Sequence, residues 1–184
     1  MQTLLISTLT VALAELGDKT QLLALILAAK YRRPWLICLG ILLATLANHA
    51  LAGAAGSLLA AWLNPQALRW IVAVSFLAVA VWTLIPDRAD ERDASRGGSS
   101  VLAATIVSFF LAEIGDKTQI ATAVIAAEYH PLWQVVAGTT TGMLLADVPA
   151  VWLGARFAQR LPLRATRIGA ALLFAGLAVW ILLK

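Results

Sequence analysis

Two copies of one polar phrase stand inside apolar sequence: Ala14-Glu15-Leu16-Gly17-Asp18-Lys19-Thr20-Gln21 and Ala112-Glu113-Ile114-Gly115-Asp116-Lys117-Thr118-Gln119. Each brings two carboxylates, an ammonium, a hydroxyl and an amide, with no histidine or cysteine. Pooled, they offer an all-oxygen donor set. Hard divalent cations such as Ca²⁺, Mn²⁺ or Mg²⁺ take such ligands, whereas Zn²⁺ and Cu⁺ favour nitrogen and sulfur. The four carboxylates and two lysines sum to −2, which one divalent cation or two protons would neutralise. Ionisable groups in hydrocarbon cost about 2.5–3.5 kcal/mol each on insertion scales. A chain that carries this cost twice, with the same residues, is expected to use them together. The expected cation ligands are Glu15, Asp18, Thr20, Gln21, Glu113, Asp116, Thr118 and Gln119, with Lys19 and Lys117 as charge-compensating partners. A plainer reading stays open: acid–lysine pairs that only fasten a helix bundle.

On a continuous helix Glu15 and Asp18, three positions apart, would share a face, as would Glu113 and Asp116. Gly17 and Gly115, between the acids, allow either close helix packing or an opened backbone that offers carbonyls. Weaker candidates lie elsewhere in the spans. Asp147 precedes Pro149, His49 holds the repeat-equivalent position, and Asn48 adjoins it. Either Asp147 or His49 would extend the site or relay protons. Met143, one turn before Asp147, reads as gap filling.

These residues need a membrane scaffold. The chain has 184 residues, 61% apolar and 13% charged, where a soluble domain carries roughly 25% charged residues. Six segments reach the ~20 residues that a bilayer span requires: 2–29, 34–61, 68–86, 99–127, 132–155 and 165–183. Proline and charge mark the breaks, as at Arg32-Arg33-Pro34 and Asn64-Pro65. The segment ending at Ala14 has a signal-like Ala12-Leu13-Ala14, but no Lys or Arg precedes it, so it reads as a span. Residues 87–98 form a linker in which Asp87, Asp90, Glu91 and Asp93 face Arg88, Arg92 and Arg96. Its spacing fits no calcium loop. Cys38 is the one cysteine, so it forms no internal disulfide and reads as packing.

The repeat runs beyond the motif. At an offset of 98, Tyr31, Trp35, Gly40, Gly56, Arg69, Phe76 and Trp82 match Tyr129, Trp133, Gly138, Gly154, Arg167, Phe174 and Trp180. The chain is thus read as repeat one (1–86), a cytoplasmic linker (87–98) and repeat two (99–184), together one transport domain. Three spans per half is an odd number, so the second half enters from the opposite side. The expected fold is an all-α integral membrane protein of six transmembrane helices, built as two inverted-topology three-helix repeats that meet near the midplane. Ten of the twelve basic residues outside the motifs fall in or beside the first, third and fifth loops; Arg69 and Lys184 are the others. The positive-inside rule then makes those loops cytoplasmic and puts both termini outside the cytoplasm. The basic residues form no dense patch with interleaved aromatics, which excludes nucleic acid as a partner.

Two copies of Glu-x-Gly-Asp-Lys-Thr, one per three-span half, resemble the signature of uncharacterised protein family sixteen, the calcium/manganese:proton antiporter (Gdt-one-like) family. The resemblance covers nearly the whole chain. It implies export of Mn²⁺ or Ca²⁺ from the cytosol in exchange for protons, with the metal as transported substrate and no cofactor. It maps the family's acids onto Glu15, Asp18, Glu113 and Asp116, and its following polar residues onto Lys19, Thr20, Lys117 and Thr118. It transfers no role to His49 or Asp147. The short N-terminus resembles that of bacterial members, which implies the inner membrane. A monomer holds both half-sites; a homodimer is compatible.

Three rival readings are weaker. An exporter of amino acids or other organic cations would use the paired acids to hold an ammonium group, but the site has few aromatics. An intramembrane aspartyl protease needs Gly-x-Gly-Asp, and Glu15-Leu16-Gly17-Asp18 lacks the first glycine. A phosphate loop needs upstream glycines and a preceding strand, both missing here.

Overall fold

In the computed structural model, residues 1–85, 100–153 and 163–183 are described, without the side chains of 163, 164, 166 and 167. The expected linker 87–98, Arg156, Arg160 and Lys184, and the side chains of Arg164 and Arg167, therefore lie outside the described residues. The described part is all helical: α1 (Gln2–Glu15), α2 (Lys19–Tyr31), α3 (Pro34–Trp62), α4 (Pro65–Thr83), α5 (Val101–Glu113), α6 (Lys117–Glu128), α7 (Leu132–Leu153) and α8 (Leu163–Leu183).

Among the described residues, three helices are long and apolar enough to cross a membrane: α3 with 29 residues, α4 with 19 and α7 with 22. Shorter apolar helices are α1, α5 and the Ile168–Leu183 part of α8. Leucine and tryptophan side chains stand exposed along the outside, among them Leu58, Trp62, Trp133 and Leu172. Proline sets two helix starts: Pro34 and Pro65 occupy first-turn positions of α3 and α4, where no backbone donor is lost. Asn64 caps α4 by accepting from the Ala67 N–H.

One expectation needs correction. The segments 2–29 and 99–127 are not single helices; each is broken in two at its polar phrase. Glu15 and Asp18 therefore do not share a helical face, nor do Glu113 and Asp116. The reason is local. Glu15-Leu16-Gly17-Asp18 forms a turn closed by Asp18 N–H donating to the Glu15 carbonyl at 3.0 Å. Leu16 sits at φ −62°, ψ 111°, and Gly17 at φ 81°. These are the angles of a type II turn, which needs positive φ at its third position and so favours glycine there. Ile114 (φ −60°, ψ 120°) and Gly115 (φ 74°) repeat the geometry, again with a 3.0 Å closing bond.

The packing exchanges the halves. α1 lies against α7 as α5 lies against α3, α6 packs on α3 as α2 packs on α7, and α4 packs against α8. Glycine permits the closest contacts. A Cβ on Gly138 would meet the Leu4 carbonyl and Ser7 Cβ at 2.7 Å, and one on Gly40 would meet Thr105 Cβ at 2.6 Å. One apolar cluster joins α4, α6 and α8 through Phe76, Ile125 and Phe174, and a second joins α2, α3, α5 and α7 through Leu27, Ile41, Phe109 and Val151. Polar side chains are buried as well, among them Glu15, Thr20, Asn48, His49, Glu113, Thr118 and Asp147.

Candidate cation site

The two broken segments bring their breaks together. Side chains that hydrocarbon would reject meet here, at the N-terminal ends of α2 and α6, where unpaired N–H groups and the helix dipole favour negative charge. Asp18 and Asp116 take the N-cap positions. Gln21 and Gln119, three residues on, reach back: Gln21 Oε1 accepts from the Gly17 N–H at 3.0 Å, and Gln119 Oε1 from the Gly115 N–H at 2.7 Å. This is a variant of the capping box, with the third helical residue satisfying a donor of the incoming turn. Asp116 Oδ2 also accepts from the Thr118 N–H at 3.4 Å.

Carboxylate oxygens of Glu15, Glu113 and Asp116 lie within 4.8 Å of one another, and all three residues are buried. Each glutamate is steadied by the threonine of its own motif. Thr20 Oγ1 donates to Glu15 Oε2 at 2.5 Å, and Thr118 Oγ1 to Glu113 Oε2 at 3.0 Å. The other oxygen of each glutamate, Oε1, has no hydrogen-bond partner among the described residues.

The lysines cross over. Lys19 Nζ lies 2.7 Å from Asp116 Oδ1, and Lys117 Nζ lies 2.9 Å from Asp18 Oδ1. Each aspartate is thus held by the lysine of the opposite motif. The two pairs differ in exposure: the Lys19 side chain is 24% exposed and that of Lys117 3%.

The remaining sequence candidates fall around this cluster. Both glutamine amides are engaged through nitrogen as well as oxygen: Gln21 Nε2 donates to the Ala146 carbonyl at 2.9 Å, and Gln119 Nε2 to Asn48 Oδ1 at 2.5 Å. Asn48 Nδ2 in turn donates to the Phe110 carbonyl at 3.0 Å, tying α3, α5 and α6 together. His49 and Asp147 are fully buried, and neither ring nitrogen nor carboxylate oxygen has a hydrogen-bond partner among the described residues. A groove of about 350 Å³, lined by Leu51, Ala52, Ala55, Gln119, Ile120 and Ala123, opens beside Gln119. The turn and the crossed pairs go beyond what the sequence alone predicts. The Asp-x-x-Gln spacing directly after a glycine was the available signal for the turn, and nothing local signals the crossing.

The turn geometry is testable alone. A Cβ at Gly115 would meet nothing within 4 Å, so the cost of Gly115→Ala comes from its φ of +74°. That left-handed penalty is about 1–2 kcal/mol. Urea unfolding of the purified protein is expected to show this loss, and Gly115→Asn, which tolerates such angles better, a smaller one. An Ala variant as stable as the parent would contradict the turn.

A cluster of buried carboxylates among long apolar helices is the arrangement of a polytopic membrane protein with a polar interior. The profile of the family described as "Divalent cation/proton antiporter GDT1" matches residues 3–91 and 101–184. The chain belongs to this family, and the family is one of transporters. The chain is similar to a Vibrio cholerae protein named "Putative manganese exporter", 53% identical over 176 residues that cover 95% of this chain and 87% of that one. It is also similar to a "GDT1-like protein" of Synechocystis, 29% identical over 187 residues that cover 90% and 89%. No solved structure gives a significant match. Membership sets aside the organic-cation exporter and the protease.

Proposed function

We propose that this protein exports Mn²⁺, and Ca²⁺ as a competing ion, from the cytosol in exchange for protons, through a carboxylate site shared by two inverted repeats. The observation that carries this reading is the meeting of Glu15, Glu113 and Asp116 across the two broken helices.

The scaffold follows from the breaks. Neither α1 nor α2 alone reaches across ~30 Å of hydrocarbon, but their 14 and 13 residues together give about 40 Å at 1.5 Å per residue. α1 with α2, α3 and α4 then make the three spans of repeat one (1–86), and α5 with α6, α7 and α8 those of repeat two (99–184), joined by the linker 87–98. Support for a two-fold relation comes from Phe76 and Phe174. They are 98 positions apart and their ring centroids lie 6.1 Å from each other, as repeat mates near an axis would. The crossed lysine–aspartate pairs exchange under the same operation. The basic first, third and fifth loops face the cytoplasm, both termini face out, and the membrane is the cell's inner membrane. One copy of the chain holds both half-sites.

The chemistry is competition for two glutamates. Lys19 and Lys117 balance Asp116 and Asp18, which leaves Glu15 and Glu113 as the net −2 of the motifs. Burying such charge without compensation costs several kcal/mol per ion. The site is therefore stable with one divalent cation or with two protons, and unstable empty. Glu15, Glu113 and Asp116 are the ligands, with the Thr20 and Thr118 hydroxyls holding the glutamates in place. Gln21 and Gln119 hold the turns, so their role is narrower than direct ligation. Manganese is favoured as substrate by the likeness to the Vibrio protein of that name. Mg²⁺ sheds its waters reluctantly and suits the site poorly.

The test is ion selectivity after reconstitution into liposomes with an imposed pH gradient. Proton-driven flux is expected for Mn²⁺, weaker for Ca²⁺ and at background for Mg²⁺. A folded protein that moves none of the three would overturn the proposal.

A further inference from the structure

Both motif lysines have aspartate partners, yet one buried acid outside the motifs has no counter-charge among the described residues. Asp147 on α7 is 0% exposed, and neither carboxylate oxygen meets a hydrogen-bond partner among the described residues. A fully desolvated carboxylate is unfavourable unless a cation or proton joins it.

Its position is set by helix packing. α7 runs beside α1 in the same direction: Gly138 adjoins Leu4 and Ser7, and Gly142 adjoins Thr8 and Ala12. The next turn of α7 therefore arrives beside the end of α1, where Glu15 stands. The hydrogen bond from Gln21 to the Ala146 carbonyl fixes that level. Asp147 lies within electrostatic reach of both Glu15 and Glu113, and Oε1 of each glutamate also lacks a hydrogen-bond partner among the described residues. Three buried acids around one region thus keep unoccupied oxygens, while the ion pairs of the motifs are complete.

The other half offers no equivalent. His49, the repeat mate of Asp147, is also fully buried, and neither of its ring nitrogens has a hydrogen-bond partner among the described residues. Imidazole is a poor ligand for a hard, oxygen-seeking cation. The two halves therefore match at every polar position of the motif and differ here.

We propose that Asp147 is a further ligand of the transported divalent cation. It takes the ion together with Glu15 at a second position on the α7 side of the Glu15–Glu113–Asp116 cluster. The inference rests on the transport reading above and adds a one-sided step to an otherwise symmetric site. Asp147 stands outside the three-acid group, and Glu15, common to both positions, hands the ion from one to the other.

The experiment is Mn²⁺ binding to the purified protein, read as loss of the free Mn²⁺ signal in electron paramagnetic resonance. Asp147→Asn keeps the shape and removes the charge. It is expected to weaken Mn²⁺ binding by at least about tenfold, a loss that even the outer partners of a metal site produce. Asp147→Glu should recover most of that loss. The metal-free thermal midpoint of Asp147→Asn should equal or exceed that of the parent, because a buried charge has been removed, while its rise on adding Mn²⁺ should shrink. A structural role alone would move the midpoint and leave the affinity alone. An Asn variant that binds Mn²⁺ as tightly as the parent would overturn this inference and leave the transport reading standing. A parent protein that binds no Mn²⁺ would overturn both.

Discussion

Glu113→Gln is expected to reduce proton-driven Mn²⁺ flux to the background of empty liposomes. The substitution preserves the side chain's shape and an oxygen for the Thr118 hydroxyl to donate to. It removes one of the two charges that the motif lysines do not balance. Breaking a buried charge pair from one side costs about 3–5 kcal/mol, more than about a hundredfold in affinity. Here the pair is glutamate and cation. Glu15→Gln should behave alike, because Glu15 occupies the equivalent place in the cluster. Neither variant should unfold the protein: each removes a carboxylate whose Oε1 has no partner among the described residues. Initial rates of Mn²⁺ uptake, normalised to folded protein, decide the matter. Flux near the parent rate in Glu113→Gln would mean that the cluster is only a fastening.

The second large effect separates the two lysines. Lys117→Met removes Asp18's lysine partner where the side chains are 3% and 0% exposed. The expected cost is about 3–5 kcal/mol of stability. Lys19→Met breaks the equivalent pair, but Lys19 is 24% exposed. Water reaches this pair only from the Lys19 side, since Asp116 is 1% exposed, so the loss should be smaller than that of Lys117→Met but larger than that of a fully exposed pair. Sequence identity of the motifs would predict equal effects, so the inequality reports the structure. Denaturant unfolding of both variants in the same detergent measures it. Equal losses would mean that the two pairs share one environment.

The long apolar elements were legible because composition and proline dictate them. The expected spans 34–61 and 132–155 appear as Pro34–Trp62 and Leu132–Leu153, and Pro65 opens α4 a few residues before the expected 68. The breaks were not legible from hydropathy, which averages over a span and does not register one residue's φ. Gly17 and Gly115 carried two meanings in sequence, close packing or an opened backbone. Only the positive φ and the closing bond from Asp to Glu decide for the turn. The oxygen-bearing residues that stood out by type are the ones the structure gathers, but their pairing is tertiary. Lys19 is four positions from Glu15 and instead meets Asp116, nearly a hundred residues away. The burial of His49 and Asp147 likewise depends on which face of α3 and α7 turns inward, which two isolated polar residues in a span cannot reveal.

The central claim is exchange: one site occupied in turn by a divalent cation and by protons. Its most direct test is proton counterflow in proteoliposomes that enclose a pH-sensitive dye, with potassium and valinomycin present to clamp the membrane potential. Adding Mn²⁺ outside should alkalinise the lumen as the ion enters and protons leave. The rate should saturate with Mn²⁺ and vanish in Glu113→Gln. Saturable Mn²⁺ entry with no change in lumenal pH would contradict the account, because the two glutamates would then be releasing metal without taking protons in its place.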